Sequence, residues 1–214
     1  MQPQRKKDLA IFIQVLQRMH RLQEKYWRAE RDLNDTSLSK RVSNVYHSVT
    51  SAVCYPLKEN ELDTQLRDCG EHIIINNLFL PPLDTDNQFI PIMCVDCDFT
   101  VIPPQMRLYV GMFRTSRSGK PKVFGFRFET SHPDSNHDYC HGQFTRTFAH
   151  RSEEFSIFPK WIPERVPCIL VPANDPISLF CVMLISFYGK IMWTKILSDI
   201  AIDDKYFKVF RELL

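Results

Sequence analysis

The chain has 214 residues, of which 44% are hydrophobic and 24% are charged, and its formal net charge is +2 at pH 7. This length is sufficient for one domain with a sizeable core that needs no disulfide support. A net charge so close to zero argues against strong electrostatic attraction to nucleic acid, to acidic substrates or to an anionic membrane. The 16 Phe residues, against only 6 Gly, predict that aromatic packing dominates the core.

The cysteines and the hydropathy pattern indicate the compartment. The seven cysteines are scattered and odd in number, and Met1 is followed by the polar run QPQRKKD instead of the apolar core of a secretory signal. The longest apolar run, from Ile177 to Tyr188, spans about a dozen residues, whereas a membrane span needs roughly 20. We therefore expect a cytoplasmic protein with no membrane partner, and a buried core helix in this run.

The N-terminal region is predicted to be helical. From Lys6 to about Asn34 there is no Gly or Pro, and apolar residues recur at three- and four-residue steps, which indicates one long amphipathic helix. Cap-type residues then precede a second predicted helix from about Ser37 to Cys54, which Pro56 ends. The two helices would form an antiparallel hairpin. The long helix either lies on its own domain or serves as a partner-binding or dimerising coiled coil.

The spacing of apolar residues changes from helical steps to strand-type alternation towards the middle of the chain. A short helix is predicted to end at Gly70, and the segment HIIINNLFL that follows fits a short strand or helix. Beyond Gln88, alternation predicts four strands, in FIPIMCVDCDFTVIPP, MRLYVGMFRT, KVFGFRFET and CHGQFTRTF. Their short connections favour antiparallel pairing. Asp175 and Pro176 stand in the places of a cap and a first helical residue, and open a helix to about Lys195.

These elements predict an α+β fold. It would consist of a long N-terminal helical hairpin, a central antiparallel β-meander of about four strands, and a C-terminal buried helix packed on the sheet. Residues 1–80 would form the helical N-terminal region, and residues 81–214 the antiparallel sheet with its C-terminal helices. We expect the two regions to make one compact unit.

One hairpin of this sheet is unusually rich in ionisable residues. The stretch ETSHPDSNHDYCHGQFTR, residues 129–146, contains three of the seven histidines and joins two predicted strands, whose side chains alternate between two faces. One face should pack on the helices, and it carries Phe124, Phe126, Phe128, Phe144 and Phe148. The other face should be exposed to water, and it carries Arg127, Glu129, His141 and Gln143.

The polar face of this hairpin has three interpretations: a solvated surface, a binding surface or a catalytic site. His141 could act as a general acid or base, while Glu129, Arg127 and Gln143 orient it and stabilise a developing phosphate charge. That is the chemistry of a metal-independent ribonuclease or phosphodiesterase. The connecting loop adds His132 and His137, which would lie at the same end as binding residues.

The cysteines offer a weaker metal hypothesis. Cys94 and Cys97 have a spacing that could suit zinc, and Cys140 lies beside the histidine loop. A regular strand, however, would place Cys94 and Cys97 on opposite faces, and no second CxxC is present. We expect inert buried thiols, no bound metal and no cofactor.

Two further segments could bind ligands. Arg114, Arg117 and Lys120 surround the turn between two strands, where they could contact phosphate or merely favour solubility. Trp161 stands in a Pro-rich segment that could present an aromatic surface to a peptide or to bases, or form an ordered covering loop.

No diagnostic catalytic motif is present, and no family resemblance is specific enough to carry residues over. The arrangement of helices and sheet resembles small bacterial proteins that act as subunits of larger assemblies. Our first hypothesis is a cytosolic accessory or interaction subunit of a larger, bacterial, protein or nucleoprotein assembly. It would bind a protein partner, or itself, through the N-terminal helix, with nucleic acid as a further partner. The alternative is a small His-dependent ribonuclease or phosphodiesterase that uses the 127–146 hairpin face, so the sequence leaves open whether the protein is an enzyme.

Overall fold

Three helices and six strands form the part of the chain that a computed structural model describes, residues 3–28, 59–81, 83, 89–114, 122–131, 139–145 and 168–200. The helices are α1 (Pro3–Arg28), α2 (Glu59–Asp68) and α3 (Pro176–Ile200). The strands are β1 (His72–Phe79), β2 (Phe89–Asp98), β3 (Gln105–Arg114), β4 (Lys122–Glu129), β5 (His141–Thr145) and β6 (Ile169–Leu170). The expected α+β class with an antiparallel sheet is confirmed.

The sheet has its strands in the order of the sequence, and each strand is antiparallel to the next. The four strands expected from alternation are β2 to β5. Among the described residues two further strands flank these four: β1, which the sequence left between strand and helix, and β6, which was not expected. Because β1 precedes residue 81, the sheet crosses the division drawn between the two regions. The division into residues 1–80 and 81–214, and their packing as one compact unit, stay predictions.

A β-bulge explains why β1 was ambiguous. Ile75 pairs with Val95, but the next paired residue of β1, Leu78, lies opposite Met93, so β1 has one extra residue there. The bulge lets Ile75 and Leu78 both face the core although they are three residues apart, and both are fully buried. That three-residue spacing is typical of a helix as well as of a bulged strand.

All three helices contribute to a core on one face of the sheet, which we call the helix face. The ring of Phe12 in α1 lies 6.0 Å from that of Phe99 and 6.1 Å from that of Phe180 in α3, measured between centroids. The apolar stripe of α1 is buried in this core: Ile11, Phe12, Val15, Leu16, Met19 and Leu22. The sheet contributes residues that alternate along its strands, among them Val95, Leu108 and Phe128. Over residues 11–22, α1 therefore lies on its own domain.

The ends of the shorter elements follow local sequence rules. Gly70 follows α2 with a φ of 61°, and the amide of Cys69 donates to the carbonyl of Gln65 at 3.0 Å, as in a helix C-terminus closed by glycine. At the start of α3, the Asp175 carboxylate accepts from the amides of Ile177 at 2.9 Å and Ser178 at 3.0 Å. Asp175 is thus the N-cap that the sequence predicts.

Helix α3 contains the long apolar run and has a break within it. Leu179, Phe180 and Leu184 are fully buried, while Gly189 has φ 62° and ψ −178°, a backbone conformation that is essentially restricted to glycine. The break divides α3 into two segments. In the part of the chain that the structure describes, no helix combines the length and the apolar character that a bilayer crossing requires.

Some expected elements fall outside the described residues. The second helix of the N-terminal hairpin, from about Ser37 to Cys54, is among them, so the hairpin itself stays a prediction. Phe148 also lies outside these residues.

The aromatic face of the β4–β5 hairpin is buried only in part. Phe128 is 7% exposed and packs against Phe187 of α3 with centroids 5.9 Å apart, and Phe126 contacts the same ring at 5.2 Å. Phe144 was expected to be buried, and this was wrong, because it is 39% exposed. It stacks on Phe126 at 4.7 Å and lies on β5, one strand farther from the Phe187 ring of α3 that covers Phe126 and Phe128.

Substitution of the two phenylalanines by alanine should therefore have different effects. We expect Phe128→Ala to lower the free energy of unfolding by roughly 3–5 kcal/mol, because it removes a large buried side chain. Phe144→Ala should lower it by less than about 2 kcal/mol, because much of that ring is already in water. Urea denaturation followed by circular dichroism measures both. Equal losses would mean that helix α3 does not cover β4 in preference to β5.

Candidate functional site

The register of β4 and β5 brings together the four residues proposed for catalysis. Arg127 pairs with Gln143 and Glu129 pairs with His141, so all four side chains lie on the face of the sheet opposite the helices, which we call the polar face. The alternation of the sequence predicted this shared face. Their expected roles in catalysis stay a prediction.

The carboxylate of Glu129 is the centre of this group. Its Oε1 atom lies 3.1 Å from Nε of Arg107, and its Oε2 atom lies 3.2 Å from both Nε of Arg127 and Nε2 of His141. The three partners come from three different strands. Because the Glu129 side chain is only 14% exposed, these contacts replace most of its hydration.

His141 is buried, whereas the sequence placed it on a water-exposed face, so that expectation was wrong. It is 5% exposed, with Nε2 on Glu129 and Nδ1 3.3 Å from the carbonyl oxygen of Tyr139. The reason is strand β6, which was not expected: Leu170 pairs directly with His141 and makes β5 an internal strand. A hydrogen-bonded histidine between two strands is less accessible to a substrate than one on an edge strand.

Gln143 extends the contacts of Arg127 towards β6. In the amide orientation that satisfies both side chains, the oxygen of Gln143 accepts from Nε of Arg127 at 3.1 Å and from one of its terminal nitrogens. The Sγ atom of Cys168, next to β6, lies 2.9 Å from the remaining atom of the same amide. Gln143 therefore contacts Arg127 at Nε, the atom that also contacts Glu129, and at one terminal nitrogen.

The polar contacts continue towards β1 through residues that sequence reasoning did not assign to this site. Arg107 pairs in register with Asp96 of β2, and Oδ1 of Asp96 lies 2.6 Å from Nε2 of His72 on β1. We call the whole row the polar ladder: His72, Asp96, Arg107, Arg127, Glu129, His141 and Gln143. Alternation marks each residue as facing this side, but only the register between strands brings them into one row.

A buried aromatic side chain lies beside the arginines of the ladder. Tyr109 pairs with Arg127 and is 6% exposed. Burial raises the pKa of its phenol, although the positive charges of Arg127 and Arg107 act in the opposite direction. The guanidinium groups are therefore next to a poorly hydrated region of the sheet.

The cysteines of the weak zinc hypothesis are separated by the sheet. Cys97 faces the helices and belongs to the core, whereas Cys94 pairs with Tyr109 on the polar face. Burial raises the pKa of Cys97 well above its usual value, helped by the charges of Asp96 and Asp98, and burial also raises the pKa of Cys140. Thiols held in the neutral form are poor metal ligands and poor nucleophiles. Among the described residues no group of three or more His, Cys, Asp or Glu could hold a metal ion.

None of the other binding residues expected from the sequence has a described side chain. Arg114 is the last residue of β3, and its side chain is outside the described part. The same holds for the whole of His132, His137, Arg117, Lys120 and Trp161. Binding by these six residues stays a prediction.

Comparison with protein-family models, with curated proteins and with solved structures finds no match for this chain. The polar ladder and the exposed surfaces of the sheet are therefore the features of this chain that bear on its function.

The role of Glu129 in this network can be tested by Glu129→Gln. We expect the variant to lose roughly 1.5–3 kcal/mol of unfolding free energy, the range for hydrogen bonds to charged groups, because the positive side chains would lose their carboxylate. Chemical denaturation measures the loss. Asp68→Asn, at an exposed position on α2, is the matched control and should change stability by about 0.5 kcal/mol or less. Equal effects of the two changes would contradict a stabilising role for the ladder.

Proposed function

We propose that this chain is a cytoplasmic accessory or interaction subunit, and that it binds an extended segment of a partner protein along β6. The observation that carries the proposal is the exposure of Ile169 and Leu170, at 66% and 65%, on the last described strand of the sheet. We also propose that this partner belongs to a larger assembly, which includes nucleic acid.

Exposed apolar residues lie near β6, two on each face of the sheet, and we call the four together the β6 patch. From the register, Ile169 lies diagonally next to Phe144 on the helix face, and Leu170 lies diagonally next to Tyr139 on the polar face. Phe144 and Tyr139 are 39% and 38% exposed. Four large apolar side chains at one edge are a typical feature of a surface that another protein covers.

The backbone of β6 also supports pairing with a further strand. The amide of Val171 donates to the carbonyl of Cys140 at 2.9 Å, and Gly142 pairs with Ile169. Because hydrogen-bonded and non-hydrogen-bonded pairs alternate in antiparallel strands, the N–H and C=O of Leu170 point away from β5. Within the described residues no strand lies beyond β6, so an added strand could pair with these groups.

The N-terminal helix was the partner-binding element expected from the sequence. Its apolar stripe over residues 11–22 is buried in the chain's own core, which makes β6 the better candidate for a docking element. Association through α1, including self-association, stays a prediction.

Ile169→Lys tests the docking surface, and Ile102→Lys is its matched control, because Ile102 is 72% exposed outside the sheet. A partner identified by crosslinking and then purified should bind the wild type and Ile102→Lys alike, and should bind Ile169→Lys at least about tenfold more weakly. Hydrogen exchange should show protection of the Leu170 amide only in the complex. Unchanged binding by Ile169→Lys would contradict the proposal.

A second candidate function is the His-dependent ribonuclease or phosphodiesterase. It is favoured by the contacts that join Arg127, Glu129, His141 and Gln143, which are the residue types such chemistry requires. The burial of His141 counts against it, since the imidazole has to reach the proton that it transfers.

The test of this alternative is cleavage of a mixed-sequence RNA by the wild type and by His141→Ala. If the chain is such an enzyme, the variant should lose at least about a hundredfold in rate, the usual contribution of a general acid or base. Circular dichroism would check that the variant is folded. No cleavage by the wild type, or equal cleavage by a folded variant, would exclude this role for His141.

A further inference from the structure

We infer that Arg107 and Arg127 form a binding site for a phosphate-type oxyanion on the polar face of the sheet. This site goes beyond the docking function proposed for β6. It includes Arg107, to which sequence reasoning assigned no role.

The two guanidinium groups are held in place before any ligand arrives. Each contacts a different oxygen of Glu129 through its Nε atom, at 3.1 and 3.2 Å. Gln143 also contacts Arg127, at Nε and at one terminal nitrogen. Arginines that are already ordered lose little side-chain entropy on binding, so more of the interaction energy appears as affinity.

The terminal nitrogens of Arg107 are the donors available to a ligand. A guanidinium has five N–H donors, and Arg107 uses only the one on Nε for Glu129. In the described part of the chain it makes no other hydrogen bond or ion pair. Its side chain is 48% exposed and that of Arg127 is 29% exposed, so a ligand can approach both from solvent.

The charged groups around this site are two guanidinium groups and two carboxylates. Glu129 contacts both arginines through their Nε atoms, and the carboxylate of Asp96, which pairs in register with Arg107, contacts His72 at 2.6 Å. Attraction of an anion therefore comes from the terminal N–H donors of the arginines and not from a net positive charge. The buried Tyr109 beside Arg127 limits hydration and strengthens this local attraction. The planar guanidinium group of Arg presents a fork of N–H donors that fits the oxygens of a phosphate group. For this reason Arg suits such a site better than Lys does.

Titration with inorganic phosphate, followed by the Nε–H signals of arginine in NMR spectra, tests this site. The signals of Arg107 and Arg127 should shift together and saturate at millimolar phosphate. Arg107→Gln should weaken binding by about tenfold or more, because it removes the exposed fork. Arg67→Gln, at an exposed position on α2, is the matched control and should bind phosphate as the wild type does. Absence of saturation up to about 50 mM, or equal binding by Arg107→Gln, would overturn the inference.

A second ligand distinguishes two possible sources of the phosphate group, a polynucleotide and a small phosphate-bearing molecule. If the site serves a polynucleotide, a short single-stranded oligonucleotide should bind more tightly than inorganic phosphate, with an affinity that falls steeply with salt and requires Arg107. If it serves a small phosphate-bearing molecule, the oligonucleotide should bind no more tightly than phosphate. Ile169→Lys should keep phosphate binding in either case, so failure of the β6 docking proposal and failure of this site give different results.

Discussion

The interaction on which the polar face depends is the sharing of one carboxylate by three strands. Glu129 lies on β4, and its partners Arg107, Arg127 and His141 come from β3, β4 and β5. A slip of one residue in either neighbouring strand would move Arg107 or His141 to the helix face and leave a charge among apolar side chains. The ladder thus specifies the same register as the aromatic and aliphatic residues behind it, and the two faces of the sheet support each other.

Much of this arrangement could be predicted from the sequence, because side-chain alternation is a local property. It identified β2 to β5 and assigned Arg127, Glu129, His141 and Gln143 to one face. It could not identify the residues that complete the ladder, since the pairing of Arg107 with Glu129 depends on the register between strands. The bulge in β1 interrupts the alternation, and the two residues of β6 are too few to show one. A periodic pattern could therefore reveal neither feature. The burial of His141 follows from β6, and was therefore missed with it.

The strands β5 and β6 differ in whether their side chains already have contacts within the chain. Towards β4, His141 and Gln143 have their polar atoms in hydrogen bonds or ion contacts. At β6, Ile169 and Leu170 are exposed and apolar. Polar groups that are already paired gain little from a partner, whereas exposed apolar surface gains by being covered. For this reason we propose protein recognition at β6, and anion recognition at Arg107, whose terminal nitrogens are not used in contacts with the described residues.

The order of the strands has a consequence for how the protein is made. Because every strand pairs with its neighbour in sequence, each strand can pair as soon as the next one has been made. During synthesis β1 to β5 can pair as they leave the ribosome, whereas β6 is added only after a longer stretch of chain. The exposed residues Ile169 and Leu170 therefore join the sheet late, when β1 to β5 are already paired. This order shortens the time in which a newly made chain can associate with another through these residues before its own sheet is built.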